Sequence, residues 1–197
     1  MKRKKRREPP ASRCYNRPSS VPVSTSNPSS AATFMEWSEI LADPSLSDLP
    51  YKIETNEYGQ IVMSPASRGH SRRQSRIERL LNDAMPSGEA FVECPIATRL
   101  GTKVADVVWV SDAVLEDQED ADPMTRAPEI CVEVLSASNS QNEIDEKRAL
   151  YFEQGAIEVW TCDGQGDMRF FAPGGEIEQS ALTPGFPSHV PLRRPRE

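Results

Sequence analysis

Two segments of this chain, KVADVVWVS (residues 103–111) and EICVEVLS (129–136), are apolar at nearly every position on both faces. A strand with one apolar face can lie over solvent. A strand with two must sit inside a sheet that is covered above and below. The expected fold class is therefore α/β, a mixed sheet with helices on its faces. Each segment also carries one carboxylate in its interior, Asp106 and Glu133. A buried carboxylate without a partner costs several kcal/mol or takes up a proton. A shared divalent cation would offset that cost for both residues, and hard oxygen ligands suit Mg²⁺ or Mn²⁺. The alternative is that each acid pairs with its own arginine or lysine, or stands at an exposed strand end.

The rest of the chain supplies the elements around these strands. Residues 34–42 read as a short helix, and residues 51–55 and 58–64 as a hairpin across Asn56-Glu57, closed by Pro65. Residues 69–85 form a helical pattern with Ile77, Leu80, Leu81 and Met85 on one stripe, stopped by Pro86 and Gly88. Strands are expected at 90–98, 103–111 and 130–136, with the acidic loop LEDQEDADPMTRAP between the last two. A second helix spans 141–154, opened by a capping-box pair, Ser140 and Glu143, and ended by Gly155. Strands at 157–162 and 168–172 follow, separated by the turn DGQGD. The domain is expected over residues 34–186, with residues 1–33 a basic, Ser/Pro-rich disordered tail and residues 187–197 a C-terminal tail.

Composition supports that division. A hydrophobic share of 37% and 17 prolines in 197 residues imply that part of the chain is unfolded. Residues 1–32 hold eight Lys/Arg against one acid, and the remainder fifteen bases against twenty-nine acids. An acidic domain counts against a broad nucleic-acid-binding surface. The basic start is either a nucleic-acid-contacting arm, a solvated tail, or an extension upstream of a true start at Met35. It has no apolar core behind it and is not a secretory signal. Cys14, Cys94, Cys131 and Cys162 form no C-x-x-C pair, which argues against zinc. The last three lie in or beside apolar runs, as reduced residues of a cytoplasmic protein would. No apolar stretch reaches the roughly 20 residues of a membrane span.

Lys147 follows the Glu133 strand on the next helix, four residues after Glu143. It could lower the pKa of a metal-bound water or steady charge on a phosphate, or it could form an ordinary surface pair with Glu143. Lys103 competes for the role, but its spacing of three from Asp106 points it to the opposite face.

The segments IVMSPASRGH, KVADVVWVS, PEICVEVLSASN and EKRALYFEQGAIEVW, with the short strand after DGQGD, resemble the Uma-two group of restriction endonuclease-like proteins. The resemblance covers roughly three fifths of the chain. It implies the PD-(D/E)XK nuclease fold, a restriction-endonuclease-like mixed sheet flanked by helices. It also implies that Asp106 is the metal-binding aspartate, Glu133 the second acid, and the Val134 carbonyl a further ligand. The position two after the glutamate is Leu135, and the catalytic lysine maps onto Lys147. Glu143 sits where the group often has an acid. Three departures stand out: Ala105 replaces a proline before the aspartate, Ser136-Ala137-Ser138 replaces S-P-S, and Arg76 falls where some relatives carry a glutamate. The last puts a second metal position in doubt.

The first long helix and its lead-in carry Arg68, His70, Arg72, Arg73, Arg76 and Arg79 against Glu78. It is either a DNA-phosphate-contacting surface or a solvated helix face. His70 could touch a phosphate or cap the helix, and is not counted among the ligands. The expected function is a Mg²⁺- or Mn²⁺-dependent endonuclease acting on DNA. The competing expectations are a catalytically degenerate DNA-binding module and an assembly protein. The oligomeric state stays open, a homodimer included.

Overall fold

The computed structural model describes residues 35–47, 49–65, 67–137 and 139–192. The elements in chain order are α1 (Trp37–Ala42), β1 (Tyr51–Thr55), β2 (Ile61–Pro65), α2 (Arg68–Ala84), β3 (Glu89–Thr98), β4 (Gly101–Val110), α3 (Asp112–Asp117), β5 (Ile130–Val134), α4 (Gln141–Glu153), β6 (Glu158–Cys162), β7 (Met168–Ala172) and β8 (Gly175–Ile177). The main sheet has the order β3-β4-β5-β6-β7-β8. Its β5–β6 pair is parallel and its other pairs are antiparallel. A parallel pair needs a crossover connection, and α4 supplies it. The two doubly apolar segments become β4 and β5, in the interior of the sheet, and both are buried almost throughout.

Hydrophobic layers lie on both faces. On one, Ile77 and Leu81 of α2 pack with Val107, Trp109, Ile130, Val132 and Trp160. On the other, Tyr151 of α4 packs with Val108, Val110, Cys131 and Val159. The α2 stripe holds as expected, with Leu80 and Met85 at the margin of the core. Ser140 caps α4 by accepting from the Glu143 amide, and Gly155 takes φ 101° just past the helix end.

β5 pairs with β4 only from Val107 to Trp109. Beside the first half of β4 lies the β1–β2 hairpin. The Thr102 amide donates to Thr55 Oγ1 at 2.8 Å, and the Val104 amide to Glu54 Oε1 at 2.9 Å. The approach is so close that a Cβ on Gly101, at φ 88°, would lie 2.6 Å from the Thr55 carbonyl oxygen. This contact fixes where the side chains of β1 fall.

Several boundaries differ from expectation. The hairpin turn runs to Gln60, because Asn56 Oδ1 accepts from the Tyr58 and Gln60 amides, each at 3.0 Å. Pro65 is the last residue of β2 rather than a stop beyond it. The end of β4 leads into a short helix, α3, capped by Ser111. The strand β8 was not anticipated. The C-terminal segment is not tail-like where it is described. Phe186 and Val190 are buried in the core, the Val190 amide donates to the Gly166 carbonyl at 2.7 Å, and Arg72 Nη2 donates to the Leu192 carbonyl at 2.8 Å. A tail starting at residue 187 is therefore corrected for residues 187–192. The expectations for Phe34, the basic N-terminal tail, Cys14 and residues 193–197 fall outside the described residues.

Cys94, Cys131 and Cys162 are free thiols in the core. Burial pushes Cys94 and Cys162 up to about 12 and raises Cys131 well above the usual thiol range, so none is a reactive thiolate. Among the described residues, no helix is long and apolar enough to cross a membrane.

Candidate functional site

Strand register builds the site. Val107 lies opposite Val132 in the β4–β5 ladder, so one further step sets Asp106 opposite Glu133. On the other side of β4, Val92 faces Val107 and Cys94 faces Ala105, so Glu93 falls beside Asp106. Residues directly opposite each other in a ladder project from the same face. Side-chain contacts join Glu93, Asp106 and Glu133 in one row of acids beyond the paired residues: Glu93 and Asp106 present ligand atoms within 4.8 Å of each other, and the Lys52 ammonium reaches both Asp106 and Glu133. Glu93 has a left-handed backbone, φ 56°, and interrupts the ladder at that point.

The hairpin brings two more groups. Lys52 and Glu54, two apart on β1, share a face. Lys52 Nζ lies 2.6 Å from Asp106 Oδ1 and 4.0 Å from both Glu54 Oε1 and Glu133 Oε2. Two helices complete the surround. Ser67 Oγ caps α2 by accepting from the His70 amide, and this places His70 Nε2 3.1 Å from Asp106 Oδ1. One turn later, Gln74 Nε2 lies 3.4 Å from the same oxygen and donates to Glu93 Oε1. From α4, Lys147 Nζ reaches Glu54 Oε1 at 2.7 Å and Glu133 Oε2 at 3.4 Å, and the Tyr151 hydroxyl donates to Glu133 Oε1 at 2.7 Å. Asp106 Oδ2 accepts from the Val134 amide at 2.6 Å. Lys52, Glu54, His70, Glu93, Asp106, Glu133 and Lys147 line a cleft of about 150 Å³, with Glu143 and Asn139 at its α4 end.

Each charge state follows from its neighbours. Burial works against ionisation of Asp106, but Lys52 and His70 outweigh it and hold the carboxyl well below its usual range. Glu54 is lowered in the same way by Lys147 and Lys52 against its burial. Glu133 goes the other way. Its burial, together with the nearby charges of Asp106 and Glu54, outweighs both lysines and raises its pKa. Lys52 and Lys147 are raised by the surrounding carboxylates despite burial. His70 is raised chiefly by its hydrogen bond to Asp106.

Asp106, Glu133 and Lys147, singled out in the sequence, therefore meet in one place. Neither acid pairs with an arginine among the described residues, but each has its own nearest lysine, Lys52 at 2.6 Å for Asp106 and Lys147 at 3.4 Å for Glu133, with Lys52 also 4.0 Å from Glu133. Lys147 pairs with Glu54 and Glu133, not with Glu143, whose Oε1 accepts instead from Asn139 Nδ2 at 3.3 Å. Lys103 donates to the Thr55 carbonyl at 2.8 Å and stays out of the cleft. Ser67, not His70, caps the helix. Lys52, Glu54 and Glu93 were not foreseen. His70, Glu93 and Asp106 each present a ligand atom, all within 4.8 Å of one another, so His70 counts as a candidate ligand after all.

Along the outer face of α2, Arg68, Arg72, Arg76 and Arg79 line a groove of about 410 Å³ together with Leu192. The Nε atoms of Arg73, Arg76 and Arg79 are buried and have no hydrogen-bond partner among the described residues. Arg73 is a correction to the expected phosphate-contacting set. It is buried, 4% exposed, and its Nη2 donates to the Gly164 carbonyl at 3.2 Å.

A family model described as "Putative restriction endonuclease" matches residues 44–185. The chain belongs to the Uma2 family. The fold is also that of a crystal structure described as a putative nuclease belonging to DUF820 from Anabaena variabilis. That chain is 21% identical, with a TM-score of 0.60 over 80% of this chain and 95% of the other. No curated protein matches. Uma2 is the family the sequence resemblance implied, and the shared fold is the one expected from it.

Proposed function

We propose that this Uma2 protein is a metal-dependent endonuclease that hydrolyses phosphodiester bonds in DNA. Asp106 and Glu133 are its metal-binding acids, the Val134 carbonyl is a further ligand, and Lys147 is the positioning lysine. The observation that carries this reading is the convergence of Asp106 and Glu133, from neighbouring strands, on one cleft that Lys52 and Lys147 also line. Two deeply buried carboxylates on one sheet face are tolerable only if positive charge holds them. The donor set fits a hard divalent ion. It consists of carboxylates and one imidazole, with no cysteine lining the cleft, which suits Mg²⁺ or Mn²⁺.

When bound, such an ion lowers the pKa of a water and neutralises charge on a phosphate. The chain's own residues prepare for this. The Val134 amide fixes Asp106 Oδ2, so that Oδ1 faces the cleft. Tyr151 fixes Glu133 Oε1, leaving Oε2 toward Lys147. Lys147, anchored by Glu54, keeps a positive charge at the acid row, where a water or phosphate oxygen would be oriented. Arg68, Arg72, Arg76 and Arg79 would contact phosphates; from Arg68 to Arg79 the helix covers roughly 17 Å, about five nucleotide steps along a duplex. Burial of three free thiols agrees with a reducing compartment, the cytoplasm.

The test is cleavage of plasmid DNA by purified protein with Mg²⁺ or Mn²⁺, beside Asp106→Ala. Equal cutting by the variant removes the assignment. A second reading, a DNA-binding module without turnover, draws on Arg76. That residue lines the basic groove where the family resemblance sets a glutamate in some relatives. A gel shift with no metal-dependent cleavage would select it.

A further inference from the structure

We propose that the Lys52 ammonium is a built-in counter-ion seated where the cation belongs, and that a divalent metal ion binds only by displacing it. This rests on the metal-site reading above. Three carboxylates surround the ammonium: Asp106 Oδ1 at 2.6 Å, with Glu54 Oε1 and Glu133 Oε2 each at 4.0 Å. Asp106 Oδ1 is also the oxygen left for a ligand, because Oδ2 is taken by the Val134 amide. A Mg²⁺–oxygen bond of about 2.1 Å would set the ion within roughly 5 Å of Lys52 Nζ from any direction. Two cations at that distance in a buried site repel strongly. Both also claim the same oxygen, Asp106 Oδ1, at contact distance, so ion and ammonium exclude each other.

Lys147 is placed differently. It projects from α4 and is pinned at 2.7 Å by Glu54, beside Glu133 rather than Asp106. Its contact with Glu133 Oε2 is longer, 3.4 Å, and Glu54 neutralises its charge, so it can stay when the ion arrives. Lys52 has somewhere to go. It lines not only the cleft but also an adjoining groove of about 830 Å³ between α1, the hairpin and β3, whose wall includes Glu93 and Asp122. Rotation of its flexible stem would move the ammonium from Asp106 into that groove without shifting β1. In the metal-free protein, the ammonium holds together an acid row that would otherwise repel itself. The competition also weakens metal binding, so the ion's affinity is set by a residue that need not ligate it.

The experiment uses the full chain in two measurements. Amine labelling of the unaltered protein, read by mass spectrometry, follows Lys52 and Lys147 with and without Mn²⁺. Lys52 is expected to label several-fold faster with the ion, and Lys147 to remain protected in both states. Calorimetric titration of Mn²⁺ into the parent and Lys52→Met is expected to show tighter binding by the variant, on the order of tenfold. The labelling arm does not depend on how well the variant folds. An affinity that is unchanged or weaker in Lys52→Met overturns the proposal, as does Lys52 labelling that ignores an ion shown to bind. Binding by the variant alone supports it. If neither protein takes up Mn²⁺, the metal-site reading itself is lost and this inference goes with it.

Discussion

Glu158 and Trp160, two residues apart on β6, are joined side chain to side chain: Trp160 Nε1 donates to Glu158 Oε2 at 2.7 Å. The other oxygen, Oε1, accepts from the amides of Ala181 at 2.7 Å and Leu182 at 3.1 Å. The acid of the G-x-x-E-V-W segment is thus a structural clamp that ties the C-terminal segment to the sheet, away from the acid row. Replacing it by alanine leaves three donors without an acceptor. Since each buried unsatisfied group costs about 1–3 kcal/mol, Glu158→Ala is expected to lose at least about 3 kcal/mol in urea unfolding. Mn²⁺ affinity of the folded fraction should be retained. A loss below about 1 kcal/mol would mean the clamp is not structural.

The contrast between Glu158 and Asp106 shows what the sequence could and could not reveal. Asp106 and Glu133 stand out because each interrupts a run that is apolar on both faces. The pattern marks burial and charge together, and Lys147 is marked by its place on the helix that follows the Glu133 strand, with the resemblance mapping the lysine role onto it. Lys52 and Glu54 carry no such mark. They sit in an alternating hairpin strand, where a charged residue reads as facing solvent, and only the close approach at Gly101 turns them inward. Glu93 owes its place to a left-handed backbone that nothing in FVECP announces. Phe186 and Val190 escape notice because they are single apolar residues spaced through a Pro/Gly-rich segment, with neither helical nor strand periodicity. Local pattern revealed the elements and the two central acids. The rest of the site depends on contacts between segments far apart in the chain.

Tyr151→Phe removes the neutral donor on Glu133 Oε1. Glu133 is already raised by burial, and loss of a donor to its charged form raises it further. A group whose folded pKa is raised contributes stability that is present in acid and lost as pH rises through that pKa. The variant should therefore trail the parent by about 1–2 kcal/mol at neutral pH, with the gap narrowing in acid as Glu133 protonates. Urea unfolding at a series of pH values measures this. A gap that is constant or wider in acid contradicts it.

Asp106 has the opposite sign. Its folded pKa lies below the ordinary 3.8, so its contribution is present above that value and disappears as pH falls through the folded pKa. The parent should lose stability below about pH 4. Asp106→Asn, though less stable near neutrality because Lys52 loses its closest partner, should show a shallower fall over the same acid range. Parallel curves for parent and variant would show that Asp106 does not set the acid limb.

The α2 arginines divide by where their side chains point, and binding should divide with them. Arg76 and Arg79 line the outer groove. Arg73 is turned inward to the Gly164 carbonyl. A residue that neutralises one phosphate contributes nearly one unit to the slope of log K against log salt. Arg76→Ala and Arg79→Ala should each weaken DNA binding across sequences and reduce that slope by about 1, with little change in stability. Arg73→Ala should leave the slope unchanged and lower the unfolding free energy, by about 1–3 kcal/mol for the buried carbonyl contact it gives up. Fluorescence anisotropy over a salt series, paired with urea unfolding, separates the two effects. If Arg73→Ala alters the slope and the outer variants do not, the basic groove is not the DNA-contacting face.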